Sequence, residues 1–293
     1  MTDILITPDA LADLLGTGQS VRLLDVRWRL DRPDGRPEYL DGHIPGAVYV
    51  DLDHELAEHG TPTDGRHPLP STARLQEAAR RWGVNDGDIV VVYDDLKSLS
   101  AARAWWLLED AGVADVRILD GSLRGWVAAG HALEDGDVVP ERGTVTLTSG
   151  LLPKLTIGQV AVLPSQGVLI DVRAPERYRG DIEPIDPRAG HVPGAINRFT
   201  GENVDAEGRF LDADTLRRRF EDIGVTRDAA VGVYCGSGVT ASHAFVALTI
   251  AGFAPQLYPG SWSQWSNHLD RPVAMGPHPG SVAARVFERG SGL

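Results

Sequence analysis

The chain has 293 residues, longer than one typical domain, and its 42% hydrophobic content suits a protein that buries a substantial core. A net charge of −13 excludes a broad nucleic-acid or anionic-membrane surface, because a phosphate-binding face needs clustered Lys and Arg. No apolar span approaches the roughly 18 residues of a membrane helix, and the acidic start from Met1 to Leu15 lacks a basic flank and a continuous apolar stretch, so a cytoplasmic protein with no membrane partner is expected.

In chain order, the first landmark is Leu24-Asp25-Val26-Arg27, followed by the turn Gly42-His43-Ile44-Pro45-Gly46-Ala47. An amphipathic stretch from Thr72 to Trp82 predicts a helix, the β-branched run Ile89 to Tyr93 predicts a buried strand, and Gly121-Ser122 with Trp126 closes the first half. Each landmark then recurs in the same order: Ile170-Asp171-Val172-Arg173, Gly190-His191-Val192-Pro193-Gly194-Ala195, the amphipathic Asp212 to Ile223 with the strand ending at Tyr234, and Gly260-Ser261 with Trp265. The offset of about 140 residues is domain-sized, which points to a duplicated gene. Short buried strands alternating with helices predict an α/β fold with a mainly parallel sheet flanked by helices in each half. The expected division is a first domain over 1–135, a linker over 136–153, a second domain over 154–276 and a tail over 277–293, in which Val282 to Phe287 is a candidate short helix.

The strongest chemical signal is the end of the second buried strand, Val231-Gly232-Val233-Tyr234, running into Cys235-Gly236-Ser237-Gly238-Val239-Thr240-Ala241 and then a helical stretch from Ser242 to Ala251. In a parallel sheet the C-terminal strand edge is where ligands bind. Gly236 and Gly238 tolerate positive φ, which lets successive backbone N–H groups converge on the Cys235 sulfur, and the following helix N-terminus favours an anion there. The alternative is a buried, inert strand-end thiol. Since Tyr93 aligns with Tyr234, Asp94 stands where Cys235 stands, and the first domain is expected to be catalytically silent. One cysteine excludes an intramolecular disulfide.

This cysteine loop resembles that of the tandem-domain rhodaneses, and Cys-Gly-Ser-Gly-Val-Thr-Ala is similar to the signature of 3-mercaptopyruvate sulfurtransferases. The Asp-Val-Arg, Gly-His-Ile/Val-Pro-Gly-Ala and Gly-Ser-x-x-x-Trp elements of both halves match the same superfamily. The resemblance implies two rhodanese-like domains, a Cys235 persulfide and substrate contacts from Gly236, Gly238, Val239 and Thr240. Thiosulfate sulfurtransferases carry an Arg-Lys pair directly after the cysteine; Gly236 and Ser237 stand there in this chain, which favours 3-mercaptopyruvate over a dianionic donor. By the same resemblance Arg177, Arg179 and Arg188 are candidates to hold the donor carboxylate. The alternative for each is a solvated arginine paired with Asp181, Glu183 or Asp186. The resemblance further matches Asp53, His67 and Ser237 to a proposed triad that relays a proton. The expected reaction passes sulfur from a small-molecule donor to cyanide, a thiol or a thioredoxin-like dithiol protein, with thiosulfate the alternative donor.

Neither a metal nor a cofactor is expected, since no His/Cys spacing suits a metal and no dinucleotide or Walker loop is present. Asp25 and Asp171 are expected to bind turn amides, His43 and His191 to tie loops together, and Trp105, Trp106, Trp126, Trp262 and Trp265 to pack in the core. A cysteine phosphatase would need arginine at position 241, where Ala241 stands. A non-turnover sulfur-carrier or regulatory module is the remaining rival.

Overall fold

The computed structural model describes residues 3–280, so the candidate helix at Val282 to Phe287 lies outside the described residues. The first half contains β1 (Leu5–Ile6), α1 (Pro8–Leu15), β2 (Val21–Asp25), α2 (Arg36–Asp41), β3 (Val48–Tyr49), α3 (Leu52–Glu55), α4 (Thr72–Arg81), β4 (Ile89–Tyr93), α5 (Ala101–Asp110), β5 (Asp115–Leu119) and α6 (Ser122–Ala128). The second half contains α7 (Ile157–Val162), β6 (Gly167–Asp171), α8 (Pro175–Arg179), β7 (Ile196–Asn197), α9 (Ala213–Glu221), β8 (Ala230–Tyr234), α10 (Val239–Ile250), β9 (Pro255–Leu257) and α11 (Ser261–Asn267). The sheets have the orders β1-β5-β4-β2-β3 and β7-β6-β8-β9, with every pairing parallel. Strands covered on both faces must be apolar throughout, which is why Ile89 to Tyr93 shows no polar alternation.

The repeat is visible in register. Asp25 lies opposite Tyr93, and Asp171 lies opposite Tyr234. Tyr93 and Tyr234 each accept a main-chain N–H at 3.1 Å, from Ile44 and Val192 of the two Pro-Gly turns. His43 and His191 stack on Tyr39 and Tyr178, with Nδ1 against the Tyr39 and Tyr178 carbonyls at 2.9 and 2.8 Å. The aspartates bind the expected turn amides and more. Asp171 does accept one turn amide, from Arg173, but its main partner is the Arg173 guanidinium, and Asp25 holds Arg27 in the same way. A buried carboxylate needs a full counter-charge, which amides alone do not supply.

Residues 137–153 form no regular element, yet Val145 and Leu147 are buried against the first half, and Val145 N–H donates to the Val84 carbonyl at 3.1 Å. The first residues of the expected tail return to the second half, where Gly194 N–H donates to the Pro279 carbonyl. The two halves meet through α5 and α10. Helix α10 is buried from Ala241 to Leu248 with no exposed polar face, the signature of a helix enclosed by its surroundings, and Phe245 sits edge-on to Trp106 at 6.2 Å between ring centroids. Phe245→Ala should destabilise the protein by about 3–5 kcal/mol, read as a lower denaturant midpoint; an unchanged midpoint would show that this face is not a load on folding.

Candidate active site

Strand β8 ends at Tyr234 and delivers Cys235 to the sheet edge, where the residue is only 2% exposed. Gly238 has φ +82°, and a Cβ there would stand 2.3 Å from the Pro259 carbonyl oxygen, so glycine is required for both conformation and space. Gly236 does not adopt positive φ, contrary to expectation, because one left-handed residue is enough to reverse the chain. Helix α10 also starts earlier than expected, at Val239 rather than Ser242, so the loop is only four residues long.

The loop is held from behind by α11. Trp262 and Ser263 N–H groups donate to the Cys235 and Gly236 carbonyls at 2.9 and 2.8 Å, and Cys235 N–H donates to Ser261 Oγ at 3.1 Å. These are first-turn helix donors that would otherwise lack partners. On the open side Gly238 N–H donates to Cys235 Sγ at 3.2 Å. The first half closes β4 with a longer loop, 94–100, folded around Asp94. Its buried carboxylate accepts main-chain N–H groups from Leu96, Ser98, Ser100 and Ala101 and the Ser122 hydroxyl.

Cys235 opens into a cleft of about 240 Å³ that both halves line. Trp28, Leu30, Arg66 and Leu99 form one wall, while Arg173, Arg177, Phe199, Gly236, Ser237, Val239 and Thr240 form the other. Arg177 is paired with Glu183 at 2.7 Å, and Arg66 pairs with Asp186. Asp186 is pushed up by burial, against the pull of Arg66. A Cβ on Gly236 would lie 3.0 Å from Arg66 Nη2 and 3.4 Å from Arg177 Nη1, so two guanidinium groups converge over the loop. Each also has a buried Nε without a hydrogen-bond partner.

Two arginines are corrected by their positions. Arg179 turns outward to Asp181, and Arg188 donates to the carbonyls of Trp265, Ser266, His268 and Arg271, four acceptors at the end of α11 that a guanidinium satisfies at once. Neither lines the cleft.

Asp53, His67 and Ser237 come together across the two halves. His67 Nε2–H donates to Asp53 Oδ1 at 3.1 Å, which leaves Nδ1 to accept from Ser237 Oγ at 2.7 Å. Burial pushes the Asp53 carboxyl up, but the His67 hydrogen bond and charge outweigh it and hold the group below the usual carboxylate range. Arg66 was missed from sequence although it immediately precedes His67, because only the histidine matched a known pattern. Among the described residues no group of three or more His, Cys, Asp and Glu is placed to hold a metal, and no helix is long and apolar enough to cross a membrane.

Comparison with known proteins agrees with this architecture. A rhodanese-like domain model matches residues 7–129 and again 157–268. A Mycobacterium tuberculosis protein carrying the name "Putative thiosulfate sulfurtransferase SseB" is 49% identical over 93% of this chain and 97% of its own length. The 3-mercaptopyruvate sulfurtransferase of Escherichia coli is 36% identical over 86% of this chain and 92% of its own. The crystal structure of SseA from Escherichia coli, described as a 3-mercaptopyruvate sulfotransferase, superposes with a TM-score of 0.79 at 34% identity, covering 89% of this chain and 99% of that one.

Gly238→Ala should lower stability by more than about 1 kcal/mol through strain and the Pro259 clash, visible as a fall in Tm. Asp53→Asn should remove a contribution that is complete above the ordinary carboxylate pKa of about 4 and lost as pH falls through the lower folded value. The wild-type and variant unfolding curves should therefore converge in acid.

Proposed function

This chain belongs to the rhodanese family, and on that premise we propose that it transfers sulfur from 3-mercaptopyruvate through a persulfide on Cys235. The family and its relatives make it a sulfurtransferase. The observation that carries the finer reading is the Asp53–His67–Ser237 chain reaching the loop that holds Cys235. The Cys235 thiolate attacks the donor sulfur, the carbon–sulfur bond breaks, and its electron pair stays on the departing enolate. Ser237 gives its hydroxyl proton to that carbon, which releases pyruvate, and the proton of the donor's own thiol, taken up by His67 Nδ1, restores the hydroxyl. The outer sulfur remains on Cys235, with the Gly238 amide and the N-terminus of α10 facing the negative charge. A nucleophilic acceptor then attacks the outer sulfur and regenerates the thiolate. Cyanide, a small thiol and a thioredoxin-like dithiol protein all fit this step, in keeping with a cytoplasmic setting. Arg177 is the natural partner of the donor carboxylate, and Val239 and Thr240 form the floor beside it.

A second donor has an observation of its own. Arg66 and Arg177 together present two positive charges above Gly236, which suits the dianion thiosulfate and replaces the charge missing from the loop. With thiosulfate the sulfur–sulfur bond breaks and sulfite leaves with the electron pair, so no proton relay is needed. Asp94 filling its own cradle supports a first half, 1–135, that carries no sulfur and contributes one wall of a site centred on 154–276.

His67→Ala should lower kcat/KM for 3-mercaptopyruvate by about 10²-fold or more and leave thiosulfate turnover within a few-fold of wild type. Equal losses with both donors would remove the relay from the reaction. Arg66→Met should weaken thiosulfate more than 3-mercaptopyruvate, and the reverse ranking would exclude Arg66 as the second cation.

A further inference from the structure

We infer that Arg103, contributed by the first domain, is a positioning residue for the cysteine: its buried guanidinium offers a counter-charge to the Cys235 sulfur and braces the loop that carries His67. The inference rests on the sulfur-transfer reading of this site. Arg103 lies in the first turn of α5, has 0% of its surface exposed, and faces α10 of the second domain. All hydrogen bonds of its guanidinium go to main-chain carbonyls: Leu56 at 3.2 Å, His67 at 3.0 Å, Pro68 at 3.4 Å and Gly238 at 3.5 Å. Its nitrogens are thereby satisfied as donors, but its charge is not neutralised by any carboxylate among the described residues.

That is an expensive place for a cation. Burial without a counter-ion is penalised, and the first turn of a helix is the positive end of its dipole. Burial pushes Arg103 down to about 10, and the charge that counters this is the one on Cys235. The other cations near the sulfur have acids of their own: Arg173 has Asp171, Arg177 has Glu183, and Arg66 has Asp186. His67 reaches the site only through Ser237. On the flanking elements, the Asp94 carboxylate is committed to the amides at the start of α5, and burial pushes His243 of α10 down to about 3. The sulfur is left as the counter-charge. Gly238 joins the two, since its N–H donates to Sγ while its carbonyl accepts from Arg103. The same guanidinium clamps the His67 carbonyl, which fixes the relay relative to the cysteine.

The test uses the full chain, in which Cys235 is the sole cysteine, so alkylation reads this sulfur alone. Arg103→Gln keeps a donor for the carbonyls and removes the charge; Arg103→Lys keeps the charge. At neutral pH the Gln variant should react with iodoacetamide at least about tenfold more slowly than wild type and recover in alkali, while the Lys variant stays within about threefold. A folded Gln variant that alkylates like wild type across the pH range overturns the inference. If the Gln variant does not fold, Arg103→Lys carries the test alone: a folded Lys variant that alkylates within about threefold of wild type supports the inference, and one slowed about tenfold or more overturns it. Alkylation needs no donor, so absence of turnover with either donor would count against the proposed reaction and not against Arg103.

Discussion

The reversal of the chain at Gly238 is the constraint on which the site depends. A left-handed residue pressed against the Pro259 carbonyl leaves room for no side chain, and three consequences follow from it. The Gly238 amide faces back toward the Cys235 sulfur, α10 begins at the next residue with its positive end beside that sulfur, and the Gly238 carbonyl turns toward the first domain, where Arg103 waits. Behind the loop, α11 takes the Cys235 and Gly236 carbonyls, so the polar groups that an anion would repel are already engaged elsewhere. On the proposed reading, main chain builds the anion site and leaves the side chains to select the donor.

The duplicated halves offer an internal control on that logic. The loop after β4, 94–100, is longer than the four-residue loop after β8 and reverses through Lys97 and Ser98, but each loop is backed by a turn with a serine at positive φ, Ser122 and Ser261. In the first half the cradle is occupied by the Asp94 carboxylate, which gathers four main-chain N–H groups. A loop that satisfies a buried carboxylate so fully is by construction an anion cradle, and this supports the same reading of the loop around Cys235. The first half holds Asp94 where the second holds Cys235, and it supplies groups that reach across: Trp28, Arg66, His67 and Arg103.

Much of this was legible in the sequence because it resides in local patterns. Buried strands, the glycine turns and the cysteine loop have short signatures, and the repeat aligned Asp94 with Cys235. Asp53, His67 and Ser237, named by resemblance, do meet in space. What sequence did not reveal depends on which side chain crosses between domains. Arg66 and Arg103 look like ordinary surface and helix arginines until α5 is laid against α10. Conversely Arg188 lies in the right segment, but the carbonyls ending α11 capture it, and Arg179 faces Asp181 at the surface. Arg173 was read only as part of a repeated motif, although its pairing with Asp171 sets it over the Trp262 ring at 4.7 Å on the cleft wall. Spacing identifies the segment; the charge balance around each guanidinium decides its role.

The central claim is that Cys235 itself carries the sulfur. Intact-protein mass spectrometry after one equivalent of 3-mercaptopyruvate, without acceptor, tests it most directly. The account predicts a gain of one sulfur atom that maps to Cys235, disappears on adding cyanide and fails to form in Cys235→Ser; pyruvate release with no mass gain, or an adduct that persists in the serine variant, would contradict it.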